Sequence, residues 1–271
     1  MPELAEVEFI RKRWNPGLTH RITRVLLHPT AGVFKRSDPT LLTRHLPGAT
    51  LDTSEAAAKQ MLFRFTLADG TAASLGLHLG MTGELATQPA DYAPKKADHL
   101  VLLQADRALV FSDFRMFGRV QFSLGADLPA WWTSIAPSVL SPAFTLAAVT
   151  AFLARRARTP IKAVLLMQEK FPGIGNWMAD EILWRAALHP RQPAGSLTAA
   201  EIKSLRRETR WVAARALATI GETFADPPKT WLFPHRWEDG GLCPKTKKPL
   251  ARADIGGRTA CWSPARQKLH R

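Results

Sequence analysis

Only two cysteines, Cys243 and Cys261, occur in the 271 residues. Two thiols are too few for a disulfide framework and fit a reducing compartment, a single bridge between them being the lesser alternative. No apolar run approaches the ~20 residues of a membrane helix, and the first residues lack the apolar core of a secretory signal. The expectation is a cytoplasmic protein with no membrane partner. Acidic residues are also scarce, 23 against 37 Lys and Arg, leaving a net charge of +14 that points to a polyanion, nucleic acid before membrane. The shortage is uneven: residues 1–130 carry 13 acidic against 15 basic side chains, residues 131–271 only 10 against 22. Most of the phosphate grip is therefore expected in the second half.

What is present suffices for two modest cores, since 46% of the residues are hydrophobic. Leu4, Val7, Phe9, Ile10 and Trp14 lie among charges and predict an amphipathic helix over 3–14, ended by Asn15-Pro16-Gly17. From about 20 to 125 short alternating runs such as MLFRFTLADGT and HLVLLQADRALVFSD, bounded by Gly, Asp or Pro, predict an antiparallel sandwich or barrel. Beyond a Pro-containing stretch, three-to-four spacing predicts helices over 146–158, 160–170, 176–188 and 198–219. Thr198 and Glu201 form a capping box for the last, and Gly221 closes it. The final fifty residues read as a small β-hairpin appendage. The expected division is 1–130 for the sandwich with its leading helix, 131–144 for a hinge, 145–225 for the helical domain and 226–271 for the hairpin.

Four stretches could carry chemistry. The chain opens MPELAEVE. Removal of the methionine before Pro2 would expose a secondary amine, a potential nucleophile, whereas the plainer reading makes Pro2, Glu3 and Glu6 a helix start. In KFPGIGNWMADEILWRAALHP the glycines before Asn176 could offer N–H groups to a phosphate, or simply form a tight turn between helices. HLGMTGEL and SDFRMFGRV place Met81, Arg115, Phe117 and Arg119 on loops, suited to wedging into a base stack; the alternative is ordinary core Met and Phe. Lys59 stands at the start of an otherwise apolar strand, where a solvated lysine is the plainer reading.

Taken in order, MPELAEVE, the lysine at 59, HLGMTG, DFRMFG, PGIGN with ADE, and GGRTACWSPARQ resemble the formamidopyrimidine-DNA glycosylase and endonuclease VIII family over nearly the whole chain. The resemblance implies an α+β protein: an N-terminal antiparallel β-sandwich with a leading helix, then a helix-two-turn-helix domain carrying a β-hairpin finger. It implies a bifunctional DNA glycosylase and AP lyase of base-excision repair, monomeric and acting on damaged double-stranded DNA without a cofactor. Pro2 would be the nucleophile, Glu3 the acid and base, Glu6 a supporting acid, and Lys59 the holder of the flanking phosphate. Met81, Arg115 and Phe117 would fill the space of a flipped base, and Asn176 and Arg258 would pinch the phosphate beside the lesion. Lys162 and His78 complete the expected DNA contacts.

Most bacterial members end in a zinc finger with two C-x2-C pairs. Here Cys243, Thr246, Ser263 and Arg266 fall on the four ligand positions, and one thiolate cannot satisfy zinc. The expectation is a zincless finger, with no metal, packed by Trp231, Phe233, Trp237 and Trp262. Ala5 replaces a family proline, and Met167 an acidic residue. The arginine of DFRMFG suits pairing with an orphaned cytosine and favours formamidopyrimidines and 8-oxoguanine as lesions. The alternatives are an endonuclease VIII-like preference for oxidised pyrimidines or single-stranded lesions, and a non-catalytic damaged-DNA-binding paralogue.

Overall fold

A computed structural model describes residues 1–28, 32–35 and 37–270. The chain forms two compact units, one of Met1–Pro2 with Glu6–Ile135, the other of Glu3–Ala5 with Ala136–Arg271.

The first unit contains most of helix α1 (Leu4–Lys12), followed by β1 (Arg24–Leu27), α2 (Thr40–His45), β2 (Thr50–Ala57), β3 (Gln60–Thr66), β4 (Ala72–His78), β5 (Gly83–Pro89), β6 (Asp98–Leu103), β7 (Arg107–Asp113), β8 (Arg119–Leu124) and a short α3 (Ala130–Thr133). The strands make two four-stranded antiparallel sheets, ordered β2-β3-β4-β8 and β1-β6-β7-β5. Alternate residues of both sheets, among them Phe63, Phe65, Leu75, Leu77, Leu100, Leu102, Leu109 and Phe111, share one core, as the pleat of a sandwich requires. Helix α1 lays Val7 and Ile10 on that core, and Trp14 follows with its ring 4.9 Å from Phe63 and its indole N–H donating to the Val110 carbonyl at 3.2 Å. The first sheet brings three connections to one end, because Gln60 pairs with His78 and His78 with Arg119.

The second unit contains α4 (Leu146–Arg155), α5 (Ile161–Leu165), α6 (Asn176–Ala186), α7 (Ala199–Thr223) and the hairpin β9 (Ala251–Asp254) with β10 (Thr259–Trp262). Phe144, Phe152 and Phe171 meet edge to face in its core, beside Met178, Ile182 and Leu183 of α6. The capping box forms: Thr198 Oγ1 accepts from the Glu201 N–H, and Glu201 accepts from the Thr198 N–H.

Among the expected boundaries that differ, two show what ends a helix here. The helix expected over 160–170 lasts five residues, because the Gln168 side chain donates to the carbonyls of Leu166 and Ile174 and accepts from the Gly173 N–H. Those bonds satisfy backbone groups in a turn that a continuing helix would otherwise satisfy. Gly221 lies inside α7 and does not close it; the helix runs to Thr223, and Phe224 takes the left-handed position at φ 59°.

Candidate active site and nucleic-acid interface

In the helical unit the site is organised around the N-terminus of α6. Glu3 is buried, and both of its carboxylate oxygens are hydrogen-bonded: Oε2 accepts from the N–H of Gly175 at 2.9 Å and of Met178 at 3.2 Å, and Oε1 from the N–H of Trp177 at 2.9 Å. These donors sit at the positive end of the helix dipole, where an anion is stabilised most. Leu4 continues the seat by donating to the Gly173 carbonyl at 3.0 Å. A Cβ at Gly175 would stand 2.3 Å from the Glu3 Cδ, so only glycine lets the carboxylate come this close. The Gly-rich turn therefore holds a carboxylate of the chain itself. Of the two readings, phosphate cradle or plain turn, neither describes it: the N–H groups of Gly175 in the turn and of Trp177 and Met178 in α6 are engaged by Glu3.

Lys162 is also corrected. Its side chain is fully buried, and the ammonium donates to the Asn176 carbonyl at 2.6 Å and to Asp180 Oδ1, so it cannot reach a ligand on the surface. Asp180 gathers more: its Oδ2 accepts from Arg236 Nε at 3.1 Å and Nη2 at 2.6 Å, and from the Cys261 N–H at 3.1 Å. Burial pushes the Lys162 ammonium below its ordinary range, and the Asp180 charge opposes that shift. A charge taken out of water is tolerable only when so paired. The network ties α5, α6 and β10 together, and sequence spacing gave no sign of Arg236, which lies 56 residues from its partner.

That framework brings Asn176 to the finger. Its amide donates to the Thr259 carbonyl at 3.0 Å, next to the exposed Arg258. Gly256 and Gly257 turn the hairpin at φ 66° and 74°, left-handed values that glycine adopts without strain. The two residues expected to share a phosphate are thus neighbours, 82 positions apart in sequence.

The finger core differs from the expected one. Trp184 of α6, Leu232, Cys243, Leu250 and Cys261 form a buried cluster, and Trp184 donates its indole N–H to Cys243 Sγ at 3.4 Å. Trp237, expected inside, is 53% exposed and lies against Phe233. Arg266 donates to the carbonyls of Trp184 and Arg185. Burial pushes the Cys243 thiol up, yet hydrogen bonds from groups including Thr246 and Trp184 bring it down to about 6. Among the described residues no group of three or more His, Cys, Asp or Glu could hold a metal ion. The donors at the four ligand positions do not fit zinc.

The sheet unit carries the remaining expected residues. Pro2 is half-buried ahead of α1, and Glu6 is half-buried in its first turn. Lys59 is a buried residue in the two-residue turn after β2, in which Ala58 has φ 55°. This excludes the solvated strand start. His78, at the same end of the sheet, accepts the Gly80 N–H on Nδ1 at 3.1 Å. Burial, with the charges of Arg119 and Lys59, pushes its imidazole down to about 4 against the pull of Asp113. His78 is therefore neutral near pH 7 and brings no positive charge to a phosphate.

Asp113, which the sequence reading passed over, builds the loop beyond β7. It is buried; its Oδ1 accepts from Thr82 Oγ1 at 2.6 Å and the Arg115 N–H at 3.2 Å, and its Oδ2 from the Gly118 N–H at 2.6 Å. The two loops abut so closely that a Cβ on Gly80 would lie 2.4 Å from the Phe117 carbonyl carbon. Met81 and Phe117 are 38% and 55% exposed, which excludes core packing, and the Arg115 guanidinium lies 4.7 Å from the Phe117 ring centroid.

Comparison with known proteins gives the same architecture. Residues 1–120 match the family model of the formamidopyrimidine-DNA glycosylase N-terminal domain, and 135–226 that of the H2TH domain. The formamidopyrimidine-DNA glycosylase of Laribacter hongkongensis is 34% identical over 278 residues, covering 99% of this chain and 100% of that protein. That of a Roseiflexus species is 36% identical over 278 residues, with the same coverage. Among solved structures, wild-type Lactococcus lactis Fpg (MutM) in complex with an oxidized pyrimidine containing DNA superposes with a TM-score of 0.86 at 24% identity, covering 98% of this chain and 100% of that one. Its complex with DNA containing N7-benzyl-Fapy-dG gives 0.85 at 22%, with the same coverage. With two family models in order and full-length relatives above 30% identity, the chain belongs to the formamidopyrimidine-DNA glycosylase family.

Proposed function

We propose that this protein is a base-excision DNA glycosylase and AP lyase that acts on oxidised bases, formamidopyrimidines and 8-oxoguanine, in double-stranded DNA. The observation that carries the reading is the Glu3 carboxylate, next in sequence to Pro2, held at both oxygens by backbone N–H groups of α6. A carboxylate so fixed suits repeated proton transfer at one place.

With Met1 removed, the Pro2 amine attacks C1′ of the damaged nucleotide, and the base leaves with the glycosidic electron pair and a proton. Glu3 protonates the sugar ring oxygen as the C1′–O4′ bond breaks, leaving an iminium between Pro2 and C1′. The iminium acidifies the 2′ proton; its removal expels the 3′ phosphate, and a second elimination expels the 5′ phosphate. Water then releases the sugar fragment and regenerates the amine. Glu6 assists as a supporting acid. Lys59, Asn176 and Arg258 hold phosphates, and Met81, Arg115 and Phe117 occupy the space of the flipped base. His78 serves by bonding to the Gly80 N–H beneath the Met81 loop. The enzyme acts as a monomer in the cytoplasm, without a metal or cofactor in its chemistry, and its finger is zincless.

Borohydride reduction during reaction with abasic-site duplex tests the reading. A covalent adduct is expected, mapped to Pro2 by mass spectrometry and lost in Pro2→Gly. Equal trapping by protein that retains Met1 would exclude Pro2 as the nucleophile. Duplexes each carrying one lesion, run side by side, separate an 8-oxoguanine preference from one for oxidised pyrimidines.

A further inference from the structure

The loop after β7 exposes more apolar surface than the wedge residues account for. Phe114 is 85% exposed and Met116 48%, beside Phe117 and Met81. Folding does not profit from an aromatic ring left in water, and a cluster of exposed apolar side chains marks a binding surface. The loop is also held in shape. Asp113 anchors its two ends, the Met116 N–H donates to the Asp113 carbonyl at 3.1 Å, and Met116 is held in the left-handed region at φ 52°. Arg115 is occupied in stacking on Phe117, leaving Phe114 as the most exposed ring of the group. The combination is four exposed apolar side chains, Met81, Phe114, Met116 and Phe117, with one guanidinium, that of Arg115, among them in sequence. Its complement is flat, apolar and flanked by negative charge, which describes nucleobases in an opened duplex.

We propose that Phe114 stacks on a nucleobase exposed when the duplex opens, with Met116 packed beside it, as a base contact additional to Met81, Arg115 and Phe117. The inference rests on the glycosylase reading above and extends its wedge from one opened base step to the base adjoining it. Because stacking is indifferent to charge, Phe114 adds affinity for distorted DNA without adding phosphate contacts.

The test uses the full-length protein and a duplex carrying a tetrahydrofuran abasic analogue, with 5-iodouracil at the neighbouring and opposite positions. Irradiation is expected to cross-link Phe114 from at least one of those positions. Phe114→Ala should weaken binding to this duplex roughly tenfold, leave its salt dependence unchanged and have little effect on the intact duplex. Phe114→Trp should restore the affinity, and Leu128→Ser, which removes an exposed apolar side chain elsewhere, should have no effect. Wild-type affinity in Phe114→Ala, an equal loss on intact duplex, cross-links confined to other residues, or a Phe114-dependent dimer without DNA would each overturn the inference. A wild-type protein that neither prefers the abasic duplex nor forms the borohydride adduct would overturn the glycosylase reading itself, and this inference with it.

Discussion

Glu3 and Gly175 are bonded at 2.9 Å, and the contact leaves no space for a side chain on the glycine. Gly175→Ala should therefore act on the carboxylate. Adduct formation in Gly175→Ala is expected to fall to the level of Glu3→Gln, and the double variant to fall no further, because both lose the same seat. Additive losses in a double-mutant cycle would separate the two residues.

Asp180 neutralises two buried cations, Lys162 and Arg236. Asp180→Asn leaves both without a counter-charge and should cost about 3–5 kcal/mol in urea unfolding. Replacing Lys162, Asp180 and Arg236 together by Met, Leu and Met should cost less than Asp180→Asn alone, since no uncompensated buried charge remains. A silent Asp180→Asn would show that the network carries no stability.

Arg258 and Lys162 should separate in salt titrations on undamaged duplex. On the proposal that Arg258 holds a phosphate, Arg258→Ala should flatten the plot of log affinity against log salt by about one unit. Lys162→Met should leave the slope unchanged, because its ammonium is buried within the protein. A flattened slope in Lys162→Met would mean that the lysine reaches DNA.

The His78 imidazole, moved from 6.5 to about 4, makes the sheet unit sensitive to acid. The unfolded chain takes up this proton near pH 6.5 and the folded protein only near 4. The stabilisation is complete above pH 6.5 and is lost as pH falls from there toward 4, by roughly 3 kcal/mol. His78→Gln, which keeps an acceptor for the Gly80 N–H, should remove that loss in unfolding measured at pH 7 and 5. Parallel profiles for the two proteins would refute it.

Within the finger, Trp184 is fully buried and Trp237 is not. Trp184→Ala should cost about 3–5 kcal/mol, and Trp237→Ala less than about 1 kcal/mol. Elemental analysis should find no stoichiometric zinc, and strong chelators should leave the melting temperature and strand cleavage unaltered. One zinc per chain would mean that ligands other than Cys243, Thr246, Ser263 and Arg266 hold it.

The order of elements was legible in the sequence because sandwich strands and amphipathic helices write their periods locally. The spacing of apolar residues is set by which face is buried, so β3, α1 and α7 could be read without knowing their partners. The family resemblance added Pro2, Glu3, Asn176 and Arg258 as candidates. Gly221 and the 160–170 segment were misread because a helix end depends on which side chain satisfies its last carbonyls, and Gln168 does so from within the turn. The Gly173–Gly175 turn invited an anion in the sequence as well. Which anion occupies it was not legible, because Glu3 lies more than 170 residues away.

By itself, then, the sequence determined the class of fold, the uneven positive charge and the chemical types available at the site. Tertiary structure decided which groups meet: Glu3 with the α6 amides, Asp180 with Lys162 and Arg236, Trp184 with Cys243, and Asp113 with the loop that exposes Phe114. The physical reason is range. Hydrophobic periodicity records burial residue by residue, whereas a hydrogen bond between distant positions depends on angles and separations fixed only once both cores are packed.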